Sequence, residues 1–184
     1  MGEAKNRKQT YEAAKQKILD RFEGKHRIVA GAAINLFDRF ILPKRFTGAC
    51  YQITMTLEKY LFEIHGISSS TIVGYVNDGT DDIMISHAWL ECDGMKIDLG
   101  LYVVERPDII HTGAVIVLDR QLLPGSVEYR YHLVRPAVST AIVERMLRDP
   151  STAHVARHKE IEHEEMLKRS RDPVLRDAYL AGAP

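Results

Sequence analysis

Apolar residues along the first third of the chain recur at helical spacing. Over residues 8–23, Tyr11, Ile18, Leu19 and Phe22 punctuate a run rich in Ala, Lys and Glu, the pattern of an amphipathic helix that stops at Gly24. Residues 27–41 carry Ile28, Val29, Ala32, Ala33, Leu36, Phe37, Phe40 and Ile41, a wider apolar face and a second helix. Leu42-Pro43-Lys44-Arg45-Phe46-Thr47-Gly48 breaks the period and reads as a loop. A third helix is expected from Cys50 to Ile64, with Ile53, Leu57, Tyr60, Leu61 and Ile64 on one side and Gly66 at the C-terminal cap.

Beyond Ser68-Ser69-Ser70 the period changes from helical to extended. Thr71–Val76 is short, β-branched and apolar, and Asn77-Asp78-Gly79 is a turn. Ile83–Cys92 reads as a strand that Asp93-Gly94 returns into Met95–Leu99, a hairpin. Val103–Val104, Ala114–Leu118 and Val127–Val134 are weaker strand candidates, and residues 138–148 and 151–170 look helical. The highly charged end of the chain reads as a solvated arm or a partner helix. Helices, a meander of strands and helices again point to an α+β fold. The expected division is a helical extension over 1–25, a core domain over 26–136 and a helical segment over 137–184.

Composition narrows the partners. The 184 residues carry 25 acidic and 25 basic side chains, so net charge advertises neither nucleic acid nor an anionic membrane. No apolar run reaches the ~18 residues of a membrane span, and the first residues lack the apolar core of a secretory signal. Two cysteines are too few for a disulfide scaffold. A cytoplasmic protein with reduced thiols is the expectation.

The candidate chemistry starts at Cys50, which opens the third helix. A helix N-terminus offers unpaired N–H groups and a partial positive charge that favour a thiolate and can receive an oxyanion. His87 lies on the second strand and shares a face with Ile85, Trp89 and Glu91; Ser86, Ala88, Leu90 and Cys92 point the other way. A histidine beside a thiol serves as base and then as acid within one turnover. Asp98 on the returning strand would fall beside His87, fix its tautomer and stabilise the imidazolium.

Gly48-Ala49-Cys50 at a helix start, His87-Ala88-Trp89-Leu90-Glu91, Asp93-Gly94 and Ile97-Asp98 together resemble the transglutaminase-like superfamily of papain-type Cys-His-Asp thiol enzymes. The resemblance spans roughly residues 45–105. The short His87–Asp98 interval is most similar to compact bacterial members, including leader-peptide proteases of lasso-peptide maturation. It implies a papain-like core in which the Cys-bearing helix packs on an antiparallel sheet carrying His and Asp. It further implies catalytic roles for Cys50, His87 and Asp98, no cofactor, and hydrolysis of a peptide or amide through a thioester. Transfer to an amine, as in transglutaminases or arylamine N-acetyltransferases, and a silent binding module are the alternatives. Arg45-Phe46-Thr47-Gly48-Ala49-Cys50 departs from the Arg-Gly-Gly-x-Cys string of the acetyltransferases, and Lys96-Ile97 stand where the family often has an aromatic residue.

Trp89 is expected to wall the site or fill the core, and the amides of Asn35 and Gln52 are candidate second oxyanion donors. Cys92 reads as a core residue and Glu91 as a structural hydrogen-bonding residue at the edge of its face. His154 and His158 share a helical face with zinc-like spacing, but His163 drifts off it and no cysteine is near, so no metal is expected. Basic residues 5, 7, 8 and 15 read as a solvated face. The charged helix over 151–170 is the candidate surface for a protein partner.

Overall fold

Helix α1 (Gly2–Arg21) and helix α2 (Gly24–Leu36) are joined at Gly24, whose left-handed φ of 52° redirects the chain. The computed structural model describes residues 2–104 and 110–182. The apolar face of α2 does not end at Ile41. It passes through a π-helical turn, Phe37–Ile41, into the short α3 (Leu42–Lys44). Phe37 and Ile41 are buried and hold this stretch to the core. Pro43 falls at the start of α3, where a missing N–H is tolerated, so the expected loop begins only at Arg45. Helix α4 (Cys50–His65) follows, and Gly66 caps it in the left-handed region, as its sequence position predicted.

Four strands form one antiparallel sheet in the order β3-β2-β1-β6: β1 (Ser70–Asn77), β2 (Ile85–Cys92), β3 (Met95–Ile97) and β6 (Arg130–His132). A separate hairpin, β4 (Val115–Val117) and β5 (Arg120–Leu123), attaches through a bridge between Asp98 and Ile116. Strand β5 is absent from the expected elements. Its turn uses Leu118 and Asp119 at positive φ, a hairpin geometry usually flagged by glycine or asparagine. Val103–Val104, expected as a strand, is irregular. There the chain leaves the sheet after Asp98, and Leu101 and Val103 are buried without strand partners.

The two faces of β2 have different jobs. Leu90 and Cys92 join Ile34, Leu57 and Leu61 of the helices in the main core, so α4 packs on that face. His87, Trp89 and Glu91 occupy the opposite face. Gly74 lies across from His87, and a Cβ there would stand 2.9 Å from the Trp89 ring and 2.4 Å from the His132 carbonyl oxygen. A side chain at this point of β1 would displace the indole from its place beside His87.

The C-terminal residues form α5 (Ala137–Arg148), α6 (Ala153–Arg171) and α7 (Pro173–Ala181). They are docked against the rest of the chain, which corrects the expectation of a solvated arm. Ala156, His163 and Met166 of α6 are buried, and the Arg135 guanidinium donates to both oxygens of Glu160. Helix α7 starts where Asp172 accepts from the N–H groups of Val174 and Leu175, with Pro173 in the first turn. Arg176 of α7 then reaches Glu58 of α4 at 3.0 Å. Of the basic residues near the N-terminus, Lys15 pairs with Glu12 and Asp38; the side chains of Lys5 and Arg7 lie outside the described ones.

Candidate active site

Gly48 turns the chain at φ 67°, and α4 begins two residues later with Cys50 in its first turn. The N-cap residue Ala49 offers no side-chain acceptor, and among the described residues no side chain accepts from the leading N–H groups of α4. Thr54 donates to the Cys50 carbonyl at 2.7 Å and fixes the first turn beside β2. Cys50 itself is half-buried and free.

Strand β3 covers only Leu90–Cys92 of β2. The edge of β2 beside His87 is therefore left to the chain that follows Asp98. Gly100 fills that gap: a Cβ on it would lie 2.9 Å from Cys50 Cβ and 3.3 Å from His87 Cε1. The missing side chain is what lets the thiol and the imidazole approach. The His87 Nε2 atom is 2.7 Å from Asp98 Oδ2, so Nδ1 is the nitrogen that remains for Cys50, and both side chains close on Gly100. The structure thus brings Cys50, His87 and Asp98 together.

Asp98 is held from several directions. Its Oδ2 also accepts from the Tyr131 hydroxyl at 2.7 Å, and its Oδ1 accepts from the Gly100 N–H at 2.9 Å. Its backbone exchanges hydrogen bonds with Ile116 in both directions, at 2.9 and 2.8 Å. Tyr131 was not among the sequence candidates. Its place depends on β6 pairing with β1 across a large sequence interval, which no local signal marks. Gly100, two residues beyond Asp98, was missed as well.

Burial by itself would lower the His87 pKa, but the Asp98 carboxylate and the Cys50 sulfur outweigh it and bring the group up to about 10. Burial works against the Asp98 charge too, yet His87, Tyr131 and the Gly100 N–H hold the carboxyl below its usual range. The signs fix a stability profile. The raised histidine stabilises the fold fully below its ordinary value of ~6.5, and this contribution fades as pH rises through about 10. The depressed carboxyl stabilises the fold above the ordinary carboxylate value, and the effect is lost as pH falls through its lowered one. Urea midpoints measured across pH are expected to peak between these ordinary values and to decline toward the alkaline side. His87→Gln should flatten the alkaline decline; an unchanged slope would contradict the pairing.

Trp89 is buried, stacks near His87 with ring centroids 6.5 Å apart and donates from Nε1 to Glu91 at 3.0 Å. Glu91 therefore has the structural role its position suggested. Gln52 is half-buried in the first turn of α4, whereas Asn35 stands on the exposed side of α2; no hydrogen bond joins Asn35 to the triad among the described residues. His154 and His158 are exposed on α6. His163 instead turns inward: its Nδ1 meets the Ser86 hydroxyl at 2.6 Å, Ser86 meets the Tyr51 hydroxyl, and the imidazole stacks on Tyr75. This polar chain joins α4, β2 and α6 and so ties α6 to the sheet.

A second His/Cys/Asp group lies apart from the triad. Ligating atoms of His26, Cys92 and Asp93 fall within 4.8 Å of one another. The Asp93 carboxylate is already engaged by Lys25 at 2.6 Å and His26 at 2.7 Å, and burial foremost pushes the Cys92 thiol up, away from the anion a metal needs.

Searches against protein-family models, curated proteins and solved structures find no match to this chain. No helix among the described residues is long and apolar enough to cross a membrane.

Gly100→Ala provides a sharp geometric test. The added methyl must displace Cys50, since it would stand 2.9 Å from Cys50 Cβ, and it also crowds the imidazole at 3.3 Å from Cε1. Expected are at least a ~10-fold loss of thiol reactivity toward an acylating probe and a stability loss of about 1–3 kcal/mol. Reactivity equal to that of the unmodified protein would mean that the thiol and imidazole do not act together.

Proposed function

We propose that this chain is a cysteine-dependent hydrolase of peptides or amides with a transglutaminase-like, papain-type core. The observation that carries the reading is the buried chain Asp98–His87 ending beside a thiol at an uncapped helix start.

In this mechanism the Cys50 sulfur forms a bond to the substrate carbonyl carbon while the carbonyl electrons move onto oxygen. The first-turn N–H groups of α4 receive that oxyanion, with the Gln52 amide a candidate second donor. As the C–N bond breaks, protonated His87 delivers its proton to the departing amine, leaving a thioester on Cys50. Water then attacks the thioester; His87 takes the water proton, the C–S bond breaks and the acid is released. The net change is amide plus water to acid plus amine. Asp98 keeps the imidazole oriented and offsets its positive charge throughout.

The test is a panel of peptide and simple amide substrates digested in oxygen-18 water. Hydrolysis is expected to place one labelled oxygen in each new carboxylate. Unlabelled product joined to an added amine would replace hydrolysis by transfer. Cleavage that persists in Cys50→Ser at the unmodified rate would remove the thiol from the mechanism.

A further inference from the structure

Beyond the triad, on the far side of Asp98, a cavity of about 610 Å³ opens against the sheet. Its volume lies within the range of small-molecule sites. Leu101, Ile116 and the ring of Tyr129 supply an apolar inner surface, and Asp119 and Glu128 stand exposed on its outer side. Lys96 and Tyr131 line it as well. The Lys96 ammonium lies 3.3 Å from the centre of the Tyr131 ring and 5.9 Å from that of Trp89. It is half-buried, yet among the described residues no carboxylate comes within salt-bridge distance of it. Asp119, an acidic residue of the wall, accepts from the Lys96 backbone N–H instead.

We propose that this cavity is a ligand site for a small organic carboxylate with an apolar or aromatic body, its charge seated on Lys96 and its body against Tyr129 and Tyr131. The chemistry follows from what the wall leaves unmet. Among the described residues, a half-buried ammonium stacked on an aromatic face has no anion within salt-bridge distance, and part of the surface beside it is apolar. Burial lowers the Lys96 pKa despite Asp98, Asp119 and Glu91 nearby, so the existing carboxylates do not compensate it. The two outer acids disfavour a dianion, which limits the ligand to one carboxylate. Tyr131 is a wall of the cavity and also the donor to Asp98, so an occupant touches a residue that holds the triad.

The chain has one tryptophan, and Trp89 meets the Tyr131 ring edge-on at 5.1 Å, which gives an intrinsic reporter. The intact protein is titrated with N-acetylphenylalanine and, separately, with its neutral carboxamide while tryptophan emission is followed. The acid is expected to give a saturable change at least ~10-fold tighter than the amide. Lys96→Gln should abolish that preference, Lys96→Arg should retain it, and circular dichroism confirms that each variant is folded. Cys50→Ala should bind as the unmodified protein does, so the outcome is independent of whether the thiol is catalytic. Equal binding of acid and amide, no saturable change with either, or an acid preference that survives Lys96→Gln overturns the proposal.

Discussion

Cys50→Ala is expected to eliminate acyl-enzyme formation, with turnover of any responsive amide or activated ester reduced at least ~10³-fold. The effect should be chemical. Cys50 is half-buried at a helix end, and replacing its thiol by hydrogen removes no part of the His87–Asp98–Tyr131 chain. Stability is therefore expected to stay within about 1 kcal/mol of the unmodified protein. Mass spectrometry of protein treated with an activated ester separates the readouts. The unmodified chain should gain one acyl group on the peptide containing Cys50, and the variant none there. Cys92, fully buried on the face of β2 away from His87, serves as the internal reference thiol. Acylation divided evenly between the two cysteines would argue that Cys50 has no special activation.

Asp98→Ala has its largest consequence in the fold. It deprives the buried His87 ring and the partly buried Tyr131 hydroxyl of their acceptor at once. Breaking a buried charged pair from one side costs about 3–5 kcal/mol, because the remaining partner keeps its desolvation without compensation. Urea unfolding should show a loss of that order. Asp98→Asn, which keeps the shape and an accepting oxygen, should lose less stability while still impairing His87 orientation. A loss below about 1 kcal/mol for Asp98→Ala would mean that water replaces the carboxylate, and that the site is open where the structure has it closed.

The parts legible in the sequence are those that depend on neighbours along the chain. Gly66 marked the end of α4, Asp93-Gly94 marked the β2–β3 turn, and strand alternation separated His87 from Cys92. The Cys-His-Asp group could be named because each member sits in a recognisable local setting, a helix start or a hairpin strand. What escaped depends on distant pairing or on unusual backbone. Tyr131 reaches Asp98 only because β6 adds to the far edge of β1. Strand β5 hides behind a turn of two non-glycine residues at positive φ. The π-helical turn lets α2 run on past the point where Pro43 suggested a break. At the C-terminus, the charge of α6 masked a narrow buried stripe of Ala156, His163 and Met166. Asp172-Pro173 was a readable helix start that the charge-based reading passed over. Gly100 shows a further limit: its role is an absence of volume between two side chains, visible only once both are in place.

The central claim is that His87 activates Cys50. Its most direct test is the rate at which iodoacetamide alkylates Cys50, compared with a free thiol and followed from about pH 6 to about pH 10, the span between an ordinary histidine and the raised one here. Cys50 is expected to react at least ~10-fold faster than the free thiol at the acidic end, and His87→Gln is expected to erase that excess. Identical rate profiles for the unmodified protein and His87→Gln would contradict the account.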